Sequence, residues 1–246
     1  MINIENLKTQ KQLNIINDWK KQQKMKLNGK KTKNIIFNFT RNHQFTTNLE
    51  IEGKSIEIVK EAKLLGTIIT NNSTWDRNTE EIAKQAFKRM QLLNAAAAYT
   101  SSKFDLKCMY LTFIRSILEK SAVVWHSSLI NKNRRDLERV QKAAVRVIMG
   151  KDYTTYKNGL KALNIETLEN RRKFLCLKFA KNCLTNEKLK EMFKVKETKH
   201  QMKKRINKKY EIKLTKTEKY KQSSLPYMIN LLNDEHDRKM KTIKNG

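Results

Sequence analysis

The chain has 246 residues, and its 53 Lys and Arg outnumber its 24 Asp and Glu to give a formal net charge of +29. No apolar run reaches the roughly 18 residues of a transmembrane helix, which excludes a membrane-spanning class. One proline and six glycines exclude collagen-like chains, and three cysteines do not form a disulfide framework. So high a charge predicts a polyanionic partner: nucleic acid comes first, and an anionic membrane surface is the alternative.

The first 70 residues predict one helix followed by short strands. Apolar residues near a 3.6-residue period indicate a helix over 5–27. Period-two alternation on both sides of Gly53-Lys54 predicts a hairpin with its turn at these two residues. A further strand is expected over 64–69, interrupted by Gly66, because a glycine within a strand often marks a bulge.

Residues from Asn71 to about Phe193 predict four amphipathic helices. Asn78 followed by Glu81 fits a capping box that opens the first of them, and Gly150 ends the third. Polar residues on the opposite faces predict that the helices pack as a bundle, so that the fold class is α+β and mostly α. The inward apolar faces are expected at Ile82, Ala86, Met90, Leu93 and Ala97; at Leu106, Tyr110, Phe113, Ile114, Ile117 and Leu118; at Leu137, Val140, Ala144, Val147 and Ile148; and at Leu168, Leu175, Cys176, Phe179 and Cys183.

The composition changes after Phe193. Residues 194–246 hold 16 Lys or Arg against six Asp or Glu, with little apolar periodicity before Leu225. This pattern predicts a mobile basic tail over 194–223 and a short docking segment over 227–233.

No constellation of residues in the sequence indicates an active site or a metal site. Cys-x-x-Cys is absent, the four histidines are isolated, and no Asp-Asp pair occurs. The one tight acidic pair of the helical region, Glu80-Glu81, falls in a first helical turn, where negative charge suits the helix dipole. We therefore expect no catalytic residue, no metal ligand and no cofactor in this chain.

Two stretches of cationic residues are candidates for binding phosphates. Residues 19–49 contain no acidic side chain but many lysines. On the third bundle helix, basic residues recur at helical spacing away from the apolar face, where each can meet a phosphate. These four residues are Arg135, Arg139, Lys142 and Arg146.

Ten short segments also follow one another in the order and at the spacing of one protein family. They are 17–19, 25–37, 51–59, 63–69, Trp75, 113–119, 124–125, 137–144, 168–172 and 225–228. Together they resemble the region after the catalytic aspartates in reverse transcriptases of non-LTR (LINE-like) retrotransposons. In that family a tryptophan on a helix precedes Leu-Asn, a Lys-Thr pair and an aliphatic strand, as Trp19 precedes 27–37 here.

The resemblance implies three domains and a fragment of an RNA-directed DNA polymerase. Residues 1–70 would be the end of the palm with a helix and a primer-grip-like β-hairpin, 71–193 a thumb-like helical bundle, and 194–246 a basic, partly disordered extension. The family's metal-binding Asp-Asp pair lies just upstream of the matched region. We therefore expect a truncated reading frame that is inactive alone, whereas an intact parent would need Mg²⁺.

The resemblance also implies partners and roles for individual residues. The expected partners are an RNA/DNA template–primer hybrid and the fingers and palm portion that is not encoded here, with no membrane; the expected location is nuclear or cytoplasmic. Lysines near the incoming nucleotide or primer phosphates would be Lys30, Lys31, Lys33 and Lys63. Gly66 would lie in the primer-grip element, while the basic stripe on the third helix would follow the hybrid backbone. The alternative is a co-opted helical scaffold protein without nucleic-acid function.

Overall fold

A computed structural model describes residues 4–29, 31–39, 48–100, 102–195, 209–212 and 217–244 of the chain. The fold is α+β and mostly α, as the sequence predicts. The chain divides into two compact units, residues 1–78 and residues 79–246.

The first unit combines one long helix with three two-stranded sheets. β1 and β4 are parallel, whereas β2–β3 and β5–β6 are antiparallel hairpins. The strands of the predicted hairpin are shorter than the alternation predicts, because Leu49 and Ile56 lie outside any strand. The elements are α1 (Ile4–Gln22), β1 (Lys33–Asn34), β2 (Glu50–Ile51), β3 (Lys54–Ser55), β4 (Glu57–Ile58), β5 (Glu61–Leu64) and β6 (Thr67–Thr70).

A small apolar cluster and two polar contacts hold α1 against the β2–β3 hairpin. The side-chain amide of Gln10 donates to the carbonyl of Glu50 at 2.9 Å and accepts from its N–H at 3.0 Å, as a neighbouring strand would. Lys20, almost fully buried, forms an ion pair with Glu52. The cluster consists of Leu49, Ile51 and Ile56, with Leu13 and Leu27 packed against them.

Both hairpin turns consist of two residues with positive φ, which is the type I′ geometry that matches strand twist. The first is Glu52-Gly53, with φ values of 54° and 72°, one residue earlier than predicted. The second is Leu65-Gly66, with φ values of 49° and 84°. The prediction that Gly66 interrupts a single strand was therefore wrong, because this glycine closes the turn between β5 and β6.

The second unit is a helical bundle with a buried core. Its helices are α2 (Asp76–Tyr99, of which 79–99 belong to this unit), α3 (Lys103–Met109), a π-helical turn (Tyr110–Arg115), α4 (Ser116–Glu119), α5 (Ala122–Trp125), α6 (Asn131–Met149), α7 (Tyr156–Leu163), α8 (Leu168–Thr185), α9 (Glu218–Lys221) and α10 (Ser224–Lys244). Short 3₁₀ turns occupy His126–Ser128, Gly150–Asp152 and Lys190–Met192. α6 packs on α3, α7 and α8, and α8 packs on α4, α5 and α10.

Most of the predicted inward positions are buried, but three details of the prediction were wrong. Phe113 and Phe179 are 51% and 41% exposed, so they lie outside the core. Asn78 does not cap α2, which begins two residues earlier; its buried Oδ1 instead accepts from the N–H of Ile68 in β6 at 3.0 Å. The capping-box pattern was misleading because the Asn78 side chain accepts a hydrogen bond from a distant residue instead of from the first turn of its own helix.

The C-terminal region is more ordered than the composition predicts. The segment predicted over 227–233 is part of the 21-residue helix α10, which packs on α8 and α5. Tyr210 is buried, and its N–H and C=O bond to the side-chain amide of Asn233 at 2.8 and 3.1 Å. The rest of the predicted mobile tail, 196–208 and 213–216, lies outside the described residues.

Candidate nucleic-acid interface

The four basic residues predicted on α6 form one exposed stripe. Successive spacings of four, three and four residues keep Arg135, Arg139, Lys142 and Arg146 within an arc of about 60° on a helix that turns 100° per residue. All four are exposed. The buried residues of α6 centre on the opposite side of the helix, and they include Asn133, Leu137, Val140, Gln141, Ala144, Val145 and Ile148. At 1.5 Å per residue the stripe is about 16 Å long. This length corresponds to about five successive phosphates of one strand, measured along the axis of a B-form duplex.

A buried amide fixes the helix that carries this stripe. Gln141 is fully buried, and its Nε2 donates to the hydroxyl of Tyr156 at 2.7 Å and to the carbonyl of Glu166 at 2.9 Å. Its Oε1 accepts from the hydroxyl of Tyr110 in the π-helical turn. Tyr156 in turn donates to Glu138. The network joins α6 to three neighbouring segments, so that it sets the rotation of α6 and the direction in which the stripe faces.

Both phenols of this network have a raised pKa. Burial is the main cause for Tyr110, and burial together with the hydrogen bond to Glu138 raises the pKa of Tyr156. Both phenols therefore stay neutral and keep their donor hydrogens. Sequence reasoning did not identify the network, although a glutamine beside Val140 on an otherwise apolar face was a usable signal.

Aromatic rings hold the C-terminal half of the stripe. The Lys142 ammonium lies 5.4 Å from the centre of the Tyr156 ring, and the Arg146 guanidinium lies 5.2 Å from the centre of the Tyr153 ring. Such cation–π contacts restrict the side chains without neutralising their charge. Arg139 contacts Asp136 at 3.7 Å in an exposed pair, and Arg135 has no ion-pair partner among the described residues. The stripe therefore keeps most of its positive charge.

α7, which packs on α6, carries two exposed lysines beyond the predicted residues. Gly159 brings the two helices close, since a Cβ on it would lie 2.5 Å from Cγ1 of Val145 in α6. Lys157 and Lys161 of α7 are exposed. They were missed because a short helix with few residues gave a weak periodic signal.

The remaining predicted site residues lie in the first unit, and their environments differ. Lys31 is exposed after a turn in which its N–H donates to the carbonyl of Asn28 at 3.0 Å. Lys33 in β1 forms an ion pair with Glu57, its direct neighbour in β4, so that much of its charge is compensated. Lys63 in β5 is exposed and lies opposite Ile68. Lys30 is outside the described residues, and Gly66 is the turn glycine of the β5–β6 hairpin.

Lys33 also borders a hollow in the first unit with a volume of about 690 Å³. The hollow lies between the 26–29 segment and the β2–β3 hairpin. It mixes three cations, Lys26, Lys33 and Lys54, with Glu52 and Glu57. Because both carboxylates already pair with lysines, the hollow has a small positive excess rather than the uniform charge of the α6 stripe.

Trp75 and Trp125, which lie in segments of the family resemblance, are both at least partly enclosed. Trp125 is fully buried and its Nε1 donates to the carbonyl of Lys120 at 2.9 Å, whereas Trp75 is half-buried. Cys176 and Cys183 are buried as well, and burial raises the pKa of the Cys176 thiol to about 11. These side chains contribute to packing rather than to the cationic surface.

Within the described ranges, no three His, Cys, Asp or Glu side chains come together in a way that could hold a metal ion. Among the same residues, no helix is both long and apolar enough to cross a membrane. The chain matches no protein-family model, and no curated protein or solved structure matches it.

Proposed function

We propose that this chain is the part of a non-LTR retrotransposon reverse transcriptase that follows the catalytic aspartates, and that it binds a template–primer duplex by its backbone. The exposed stripe of Arg135, Arg139, Lys142 and Arg146 is the observation that carries the proposal. Four cations in line over about 16 Å suit phosphates that repeat along a strand. Because the bases take no part in this contact, the binding does not depend on the nucleotide sequence of the duplex.

Three further observations support the proposal. The chain's charge of +29 favours a polyanion over a neutral partner. The Gln141 network fixes the rotation of α6, so the helix does not have to reorient for the stripe to face a duplex. The resemblance of ten segments, in order, to the polymerase family indicates which polyanion is bound, namely an RNA/DNA hybrid.

Fluorescence anisotropy with a labelled blunt-ended RNA–DNA hybrid tests the proposal across a series of salt concentrations. The stripe variant replaces all four residues with glutamine. We expect its plot of log affinity against log salt to be shallower by about 3.6, since each phosphate contact contributes about 0.9. Circular dichroism confirms that the exposed substitutions leave the helices folded.

A matched control removes the same amount of charge elsewhere in the second unit. It replaces four exposed residues of α8 and α10 with glutamine: Lys173, Lys178, Arg238 and Lys241. We expect this control to retain most of the slope. If the control and the stripe variant lose affinity equally, the net charge of the chain binds the hybrid and the stripe has no special role.

A co-opted helical scaffold is the second candidate function, and exposed apolar residues on α1 favour it. Ile15, Ile16 and Trp19 are 67%, 47% and 52% exposed and recur at helical spacing on one side of this helix. A scaffold would bury this face against another protein. Light scattering coupled to size-exclusion chromatography tests it: stable oligomers that dissociate in a Trp19→Lys variant would favour the scaffold.

A further inference from the structure

A small apolar hollow lies in the C-terminal part of the second unit and has a volume of about 180 Å³. The 3₁₀ turn Lys190–Met192, the segment 211–212, α9 and the first turns of α10 all contribute to its lining. Two of the lining side chains, Met192 and Tyr220, are 43% and 45% exposed, so that solvent reaches apolar surface here. The apolar and aromatic residues of the lining are Met192, Ile212, Tyr220, Leu225, Pro226 and Ile229.

Hydrogen bonds hold one wall of this hollow in place, although the wall belongs to no helix and no long strand. The N–H and C=O of Tyr210 bond to the side-chain amide of Asn233 on α10, which is only 2% exposed. The N–H of Glu211 donates to the carbonyl of Lys194 at 2.8 Å, and Tyr210 forms an antiparallel bridge with Val195. The wall is therefore held against α10 without a ligand, and a binding partner does not have to order it.

The size of the hollow suits one apolar side chain better than a cofactor. A cavity of about 150 Å³ holds a benzene molecule, whereas sites for cofactors and drug-sized ligands usually have about 300 to 1,000 Å³. A leucine, methionine or phenylalanine side chain would fill the hollow, and burial against its apolar lining would stabilise the complex.

Two carboxylates in the lining have no cationic partner. Glu191 and Glu211 are both exposed, and neither side chain forms an ion pair with a described residue. Lys194 also lines the hollow, so that one negative charge is in excess among the described lining residues. This local excess is opposite in sign to the net charge of the chain, which is +29. It favours an occupant that is apolar and cationic, and it disfavours the phosphates of a nucleic acid.

We propose that this hollow is a docking site for a partner protein, and that it receives one apolar side chain from a segment that carries a lysine or arginine beside it. The apolar side chain would enter the hollow, while the neighbouring cation would pair with Glu191 or Glu211. The inference goes beyond the proposed function, because no residue of α6 is among the described lining residues. The chain would then have a protein partner in addition to the nucleic acid.

Selection from a random phage-displayed peptide library on the full-length chain tests the inference. We expect the enriched peptides to share an apolar residue beside a lysine or arginine. The net charge of the chain attracts acidic peptides, so that nonspecific attraction would not produce a basic consensus. The absence of enrichment, or a consensus that is only acidic, would overturn the inference.

Fluorescence anisotropy with a labelled peptide of the selected consensus then locates its site. Glu191→Gln combined with Glu211→Gln keeps the size of both side chains, and we expect this double variant to bind the peptide about tenfold more weakly because the charge pairs are lost. Serine in place of the apolar residue of the peptide should weaken binding at least as much. If the double variant binds the peptide as tightly as the wild-type chain does, the hollow is not the site.

Asp105→Asn combined with Glu166→Gln is the matched control, since it removes two exposed carboxylates from α3 and from the segment before α8. We expect this control to bind the peptide as the wild-type chain does. An equal loss in both double variants would attribute the binding to net charge and overturn the docking site. Light scattering tests for a second copy of the chain: a wild-type dimer that dissociates in the Glu191→Gln, Glu211→Gln variant would overturn the assignment of a different protein as the occupant.

Discussion

Arg172 and His126 form a hydrogen bond in the interior of the second unit: the guanidinium Nε–H donates to Nδ1 of the imidazole at 3.3 Å. Both side chains are almost fully buried, and the guanidinium also lies 5.6 Å from the Trp125 ring. Since Nδ1 accepts, the neutral ring carries its hydrogen on Nε2, which faces the Tyr227 hydroxyl at 3.4 Å. The contact joins α8, the turn after α5, and α10.

This arrangement makes the folded bundle sensitive to acid. Burial, and then the charge of Arg172, lower the pKa of His126 from 6.5 to about 3. The unfolded chain therefore binds a proton below about pH 6.5 that the folded chain refuses until about pH 3, so stability falls as the pH falls through this window. We expect the free energy of unfolding to drop by about 1.4 kcal/mol between about pH 7.5 and pH 5.5 from this group alone.

Urea unfolding at the two pH values checks this prediction against His126→Gln. Glutamine can still accept from Arg172 but does not titrate, so the variant should lack this part of the pH dependence. The comparison also cancels the contribution of other titrating groups. An identical pH dependence in both proteins would show that His126 is not the source.

Replacing Gln141 with leucine should destabilise the bundle by about 2 to 4 kcal/mol. The change leaves the Tyr110 hydroxyl and the Glu166 carbonyl without their partner, and an unpaired buried polar group costs about 1 to 3 kcal/mol. Urea unfolding followed by circular dichroism measures the loss. Tyr110→Phe, which removes one member of the network, should cost less. A Gln141→Leu variant as stable as the wild-type chain would mean that the network does not hold α6.

Gly159→Ala should destabilise the contact between α6 and α7 by about 1 to 3 kcal/mol. The new methyl group would lie 2.5 Å from Cγ1 of Val145, so the helices must separate. In a Val145→Ala background the same change should be neutral or stabilising, because the obstacle is gone and alanine favours a helix by about 1 kcal/mol. A double-mutant cycle by thermal unfolding measures this coupling. Additive effects would contradict the close approach.

Leu65→Asn should stabilise the β5–β6 hairpin by about 0.5 to 1 kcal/mol. Leucine at a φ of 49° pays the cost of the left-handed region, and at 89% exposed its side chain gains little by packing. Asparagine tolerates this conformation better. Hydrogen exchange of the β6 amides measures the change, and Leu64→Asn, at the end of β5 and outside the turn, serves as the control. If exchange is also slower in Leu64→Asn, the effect comes from the loss of an exposed apolar side chain and not from the conformation of the turn.

The position of the basic stripe follows from local periodicity, and it was predictable for that reason. An apolar face at Leu137, Val140 and Ala144 forces one side of α6 inward, so that residues half a turn away must face solvent. The stripe needs no knowledge of the neighbouring helices. The existence of the β2–β3 hairpin was predictable in the same way, from alternation and a glycine.

Contacts between distant residues were not predictable, because no local pattern encodes them. The burial of Arg172 depends on His126, 46 residues away, and Phe179 is exposed although its spacing on α8 favours the core. Asn78 had a good local interpretation as a cap, but a tertiary hydrogen bond to Ile68 takes its side chain.

The sequence alone determined the line of charge on α6, since 3.6-residue periodicity is a property of the chain itself. Only the tertiary structure decided what that line contacts and how firmly it is held. Gln141 is polar on an apolar face, and only the approach of Tyr110, Tyr156 and the Glu166 carbonyl gives its amide partners away from water.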